Sequence, residues 1–228
     1  MKLFAKQIVV VAVLALGTHL FGTLTGTAGA ADLPSYKPPS RGAPAGRVGM
    51  GTRGIIPPPQ IWALAPDHTG LTTREQPSLY WYATKSVTAR IELMAINNQG
   101  MKTILEESVV SPASAGVQRI DLARYGIRLQ PGIEYRWTVS SETDSKQRSN
   151  NGWIQRVDPN SGLAKRIEAT PKTGHAAIYA EEGIWYDAIA SIGELIEQSP
   201  GDTSLRMQRA TLLEQVGLKE VAAGDARR

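Results

Sequence analysis

The chain of 228 residues contains no cysteine, which removes disulfides and thiolate metal sites from consideration. Phenylalanine is nearly absent: Phe4 and Phe21 both fall in the first 21 residues, and the later aromatics are all Trp or Tyr. Of three histidines, His19, His68 and His175, no two stand at metal-ligand spacing, and no H-E-x-x-H occurs. The elbow G-x-S-x-G and the pair S-x-x-K are missing as well, so serine-hydrolase chemistry has no sequence basis. No catalytic residue, metal site or cofactor is assigned. The longest apolar run, Ile8 to Leu16, falls well short of the roughly 20 residues needed to span a bilayer.

That run has a different meaning. Lys2 and Lys6 precede it, and a small-residue tract ending in "GTAGAADLP" follows, the three-part layout of a secretory signal peptide. Cleavage is expected after Ala30 or Ala31, giving an exported protein, periplasmic or extracellular, with no transmembrane segment left. Loss of Lys2 and Lys6 takes the formal charge from +4 to +2, too weak an excess to argue for nucleic acid.

Residues 31–59 read as a Pro/Gly-rich basic arm, "LPSYKPPSRGAPAGRVGMGTRGIIPPP" from Leu33, with Lys37, Arg41, Arg47 and Arg53 and no acid. Such composition suits an extended, polyproline-like path along a sheet edge. Gly49, Gly51 and Gly54 satisfy G-x-G-x-x-G, but no strand precedes them and no helix follows, so the match is coincidental. Four cations over this length give an anionic lipid or polysaccharide surface only weak attraction.

Residues 60–158 change to short segments of period-two alternation. "LYWYA", "ARIELMAIN", "KTILEESVV", "VQRIDLA", "GIEYRWTVS" and "GWIQRV" predict six or seven strands, with "NNQG" as a hairpin turn and Tyr135, Trp137 and Val139 inward. The fold class predicted is mainly β with α: an antiparallel sandwich followed by a helical tail over 159–228. In the tail, helices are expected over Ser161–Ala169, from Thr173 to Glu182, over Trp185–Gln198 and over Ser204–Val216, three or four in all. His68 reads as a surface loop residue. Asp187 and Glu194, seven apart, read as a solvated helix face rather than an acid/base pair, while Asp121, Glu134 and Glu142 converge only if folding brings them together.

Three resemblances follow from these residues. "LQPGIEYRW" resembles the tyrosine corner of fibronectin type III and immunoglobulin-like sandwiches, in which the phenol bonds back to the chain at the start of a strand. A shift of 34 residues lays Gly183 on Gly217, Ala176 on Ala210, Ala188 on Ala222, Ile178 on Leu212 and Ile184 on Leu218, similar to the tetratricopeptide helix pair; His175 and Arg209 stand where that repeat is usually apolar. The order of "YKPPSRGAPAGRVGMGTRG", "QPSLYWYA", "PGIEYRWTV", "GWIQRV" and "EEGIWYDAIASIGEL" resembles a family of exported bacterial proteins, common in cyanobacteria, known only as domain of unknown function 928, with Met50 where a third glycine is expected. That resemblance implies an exported protein without an assigned activity.

The candidate binding residues are Tyr80, Tyr82, Arg136, Trp185 and Tyr186, with Trp153 and Trp185 also reading as core. Tyr80 and Tyr82 alternate with Trp81, so they either form an exposed stacking surface or lie beneath the arm or the tail. The functional expectation is a non-catalytic adaptor of the cell envelope that binds another envelope or secreted protein through an apolar groove. The alternatives are a carboxylate-dependent envelope hydrolase and a binder of glycans or anionic surfaces.

Overall fold

A computed structural model describes residues 33–39, 60–97, 100–110, 115–141 and 149–228. The signal segment, Arg41, Arg47, Arg53, the glycines at 49, 51 and 54, the hairpin residues 98 and 99 and Glu142 lie outside the described residues. The chain has mixed α/β content, with eight described strands in two sheets, and five helices.

β1 (Ile61–Ala63), β3 (Ser78–Ala83) and β6 (Gly116–Asp121) form an antiparallel sheet in the order β1-β3-β6. The second sheet runs β2-β8-β7-β4-β5, built from β2 (Gly70–Thr72), β4 (Thr88–Asn97), β5 (Gly100–Val110), β7 (Glu134–Ser141) and β8 (Ser149–Arg156). Its ladders are antiparallel except β2 with β8, which is parallel. Alternation explains β7: Tyr135, Trp137 and Val139 are buried while Arg136 and Thr138 stay half-exposed on the other face. β3 is buried at every residue, so both of its faces are covered. The strands β1 and β2, three residues each, are too short to show a period, which is why the sequence predicts fewer strands.

The helices are α1 (Ser161–Ala169), α2 (Lys172–Glu181), α3 (Trp185–Gln198), α4 (Thr203–Gln215) and α5 (Lys219–Ala226). α1 begins where Asn160 Oδ1 accepts the Leu163 N–H at 2.8 Å, an ordinary N-cap. The sequence does not single out α5, a helix of eight residues in which Val221, Ala222 and Asp225 are buried.

The 34-residue recurrence is also geometric. Gly183 and Gly217 end α2 and α4 with φ of 73° and 77°, the left-handed turn that glycine adopts without steric penalty. Behind them Ile184 N donates to Tyr179 O at 2.8 Å and Leu218 N to Leu213 O at 2.9 Å, the same bond one repeat later. Ala176, Ala210, Ala188 and Ala222 are all buried, so the small residues lie where the helices pack. Sheet and helix residues share a main apolar core running from Tyr36 through Trp81, Trp137 and Trp185 to Ala222, and Leu71, Leu163, Ile178 and Ile184 form a second, smaller cluster.

Two local expectations meet the structure differently. Tyr135 Oη accepts the Gln130 N–H at 2.9 Å, so the phenol does bond back to the chain just before its strand. The described part of the arm, residues 33–39, follows the helices and not a sheet edge: Lys37 N donates to Ala180 O at 3.0 Å, at the C-terminal end of α2.

Candidate functional site

The first turn of α3 fastens helices to sheets. Trp185 Nε1 donates to Leu64 O at 2.9 Å, and Tyr186 Oη accepts from Trp137 Nε1 and donates to Trp153 O, both at 2.9 Å. Each buried polar tip of these aromatics thus has a partner, as burial requires. Trp185 and Tyr186 are both buried, so neither presents a solvent-exposed surface.

Asp187 corrects a second expectation, for it is fully buried and not part of a solvated face. Its Oδ1 accepts from Thr72 Oγ1 at 2.5 Å, and its Oδ2 accepts from Thr73 N at 3.0 Å and Thr73 Oγ1 at 2.5 Å. Burial raises its carboxyl above the usual range, and the two threonines and the Arg74 charge pull back against that. Glu194 pairs with Arg74 beside it. At Asp187 the helix face that looked polar in sequence is covered by Thr72 at the end of β2 and by Thr73 in the turn after it, where Arg74 pairs with the partly exposed Glu194. The other carboxylates also stand apart: Asp121 caps a 3-10 turn through the Ala123 N–H, and Glu134 accepts from Thr69 Oγ1 at 2.5 Å on the other sheet.

Tyr80 and Tyr82 point from β3 into the helices. Tyr80 packs under Gly193 of α3, where a Cβ would lie 2.6 Å from its hydroxyl, so only glycine admits the ring. Tyr82 packs against Gly224 of α5 and tilts against Trp62 at a centroid distance of 5.9 Å. Neither offers an exposed stacking platform, because both are buried.

Where the helices meet β6, a groove of about 480 Å³ remains. Arg119 of β6, Arg206 and Arg209 of α4 and Arg228 line it, against the acids Glu197 of α3 and Asp225 of α5. Arg209 holds Asp225 with two bonds of 2.7 Å, and both side chains are buried, 5% and 1% exposed. Arg119 pairs with Glu197 at 3.0 Å. Four arginines face two acids, with Arg206 sharing Asp225 at 3.9 Å, so the lining carries more positive than negative charge. Tyr80 also lines the groove; its hydroxyl is buried beside the Arg119 guanidinium, and burial, with Glu197 nearby, pushes it up to about 12 against the pull of Arg119. Along the groove runs β6, an edge of its sheet. The groove is lined by charged side chains where an apolar one was expected. In sequence its signal was Arg209, a cation at a repeat position that is usually apolar; Arg119, Arg206 and Arg228 gave none.

Arg136 lies elsewhere, in a polar hollow of about 420 Å³ on the open face of the five-stranded sheet, with Arg90, Glu92, Glu106 and Asn151. Glu92 and Glu106 are direct partners across β4 and β5. Glu106 pairs with Arg90, and Glu92 accepts from Thr103 Oγ1 at 3.3 Å. His68 is less exposed than a surface loop residue: its side chain is 14% exposed, with Nε2 2.8 Å from Tyr36 Oη and Nδ1 3.1 Å from Asp67. His175 Nε2 lies 2.8 Å from Thr170 O. Lys37 is exposed in the arm.

Among the described residues no cluster of three His, Asp or Glu side chains is placed to hold a metal ion, and no helix is long and apolar enough to cross a membrane. No curated protein matches the chain. The model of the family described as Domain of Unknown Function (DUF928) matches residues 48–225, most of the chain and nearly every element described above, and the chain belongs to that family.

Proposed function

We propose that this chain is an exported, non-catalytic adaptor of the bacterial cell envelope, and that it grips an acidic, extended segment of another envelope protein in the groove between β6 and the helices. The two sheets are read as an immunoglobulin-like sandwich, a reading supported by the bond from Gln130 to Tyr135. The helices are read as a tetratricopeptide-like unit of about one and a half repeats, supported by the recurrence at Gly183 and Gly217.

The observation that carries the functional reading is the cation excess beside an edge strand. An edge strand offers unpaired backbone groups to an incoming strand, which supplies affinity without sequence demands. Arginines next to it select carboxylates, which they bind through charge-assisted, often bidentate bonds. The Arg209–Asp225 and Arg119–Glu197 pairs hold the walls; Arg206, which also lies 3.9 Å from Asp225 and donates to Pro200 O, and Arg228 supply the remaining positive charge for the guest.

The test is fluorescence anisotropy with a labelled Glu-rich extended peptide, against a Lys-rich control. The full chain should bind the acidic peptide at low salt, lose it as salt screens the charges, and lose it in the double variant Arg206→Ser with Arg228→Ser. Indifference to the acidic peptide at low salt would remove the reading.

The hydrolase alternative keeps one favourable observation, the direct pairing of Glu92 with Glu106 on an open sheet face. It ranks second because Glu106 is exposed and ion-paired, Glu92 is half-exposed, and neither is buried as a carboxyl kept protonated for acid catalysis would need to be. Hydrolysis of envelope glycans that disappears in Glu92→Gln would reverse the ranking.

A further inference from the structure

Residues Pro34 to Pro38, "PSYKP", are held as a docked peptide is held. Gln215, at the end of α4, clamps the backbone on both sides of Ser35: its Oε1 accepts the Tyr36 N–H at 2.6 Å, and its Nε2 donates to Pro34 O at 2.9 Å. One residue on, Lys37 N donates to Ala180 O at 3.0 Å. The Tyr36 ring is 7% exposed, stacks on His68 at 5.9 Å, and meets the edge of Trp185 at 5.0 Å. Its hydroxyl faces His68 Nε2 at 2.8 Å. Gly183 completes the seat, since a Cβ there would lie 2.8 Å from Lys37 O.

Each of these contacts reads a separate property of the segment. The Gln215 amide and Ala180 carbonyl require an extended backbone, as a strand partner does. The slot between His68 and Trp185 takes an aromatic ring with a polar tip. Prolines on both sides of the tyrosine hold the backbone extended before binding, which lowers the entropy lost on docking. None of these residues lines the arginine groove.

We propose that this seat is a recognition site for an extended Pro-x-Tyr-x-Pro segment, filled here by the chain's own copy, and that a second copy of this chain donates its segment to the seat when the internal one is withdrawn. The motif that fits is carried by the chain itself, on a Pro/Gly-rich connection of 20 residues between Pro39 and Gln60. An exchange of this kind reproduces every contact in trans and creates a dimer without any new surface. Being part of the same chain, the internal copy meets the seat at a higher effective concentration than a separate segment does, so it wins until it is weakened.

Complementary variants of the full chain test this. Tyr36→Ala empties the seat and leaves its walls intact; Gln215→Ala breaks the clamp and leaves the segment free. A labelled peptide of residues 33–39 should bind the Tyr36→Ala chain about 100-fold more tightly in apparent affinity than the wild-type chain. It should not bind a chain carrying both changes. Each variant alone should remain a monomer in analytical ultracentrifugation, with unchanged circular dichroism, and an equimolar mixture should form a one-to-one dimer. Failure of the peptide to bind the Tyr36→Ala chain overturns the recognition site; a bound peptide with a mixture that stays monomeric overturns the second copy as its occupant.

Discussion

Where α3 begins with Trp185, Tyr186 and Asp187, all buried, α5 begins at the equivalent positions with Lys219, Glu220 and Val221, of which only Val221 is buried. The backbone of the two hairpins recurs, down to the left-handed glycine before each helix. The side chains divide the labour. The first hairpin is welded to both sheets through hydrogen-bonded aromatics and a buried carboxylate, and the second meets the sheets through apolar packing that includes Tyr82 against Gly224, with a charged groove beside it. A repeat therefore fixes the turn and the packing of small residues, whereas anchoring is decided by three side chains at the head of the second helix.

The sharpest way to break this comparison is to truncate both heads. Trp185→Ala should lower the unfolding free energy by about 4 kcal/mol, through lost burial and an orphaned Leu64 carbonyl, while Lys219→Ala should stay within about 0.5 kcal/mol. Urea titrations of the two would refute the division of labour if the losses were alike.

The second hairpin has its own internal tie. Asp225→Ala leaves the Arg209 guanidinium buried and unpaired and should cost about 3 kcal/mol, whereas Arg209→Met with Asp225→Leu should be close to neutral. A thermal melt of the double variant that falls as far as the single one would show that the pair, and not merely its balance, holds α4 to α5.

Asp187 sharpens the contrast through pH. A carboxyl raised by burial contributes most below its ordinary value of about 3.9, and that contribution is lost as pH rises through the raised value. Asp187→Asn cannot accept from both threonines in the same way and should be less stable by about 2 kcal/mol in acid. The deficit should narrow as pH rises, because only the wild-type chain carries the ionisable group. Chemical denaturation across pH gives the slope, and a deficit that widens with pH would contradict the burial argument.

The smallest effect compares the two turn glycines. Gly217→Ala should cost about 1 kcal/mol for the left-handed backbone alone. Gly183→Ala carries the same strain and also intrudes on Lys37 O, so it should expose the 33–39 segment to limited proteolysis where Gly217→Ala does not.

Much of the architecture was legible because it is periodic. The bounds of α1 and α3, the inward Tyr135 and Trp137, and the recurrence at Gly183 and Gly217 all follow from spacing within one element or one repeat. What escaped depends on distant partners. Asp187 lies on the polar side of its own helix, and nothing within α3 says that Thr72 and Thr73, more than a hundred residues earlier, will cover it. The groove gathers arginines from a strand, a helix and the chain end, and no local pattern joins them. The alternation in β3 marks Tyr80 as an aromatic candidate; that its ring lies under Gly193 and lines the groove depends on α3 being in place.

The bond from Thr72 to Asp187 spans 115 positions and secures a three-residue strand that pairs in parallel with the last strand of its sheet. Closing so long a loop for so few contacts is slow, and little in β2 itself rewards an early attempt. β2 is therefore among the last pieces to settle, after β8 has formed and α3 has arrived. The Tyr186 hydroxyl that accepts from Trp137 Nε1 and donates to Trp153 O likewise arrives only with α3, more than 30 residues after either tryptophan in the chain.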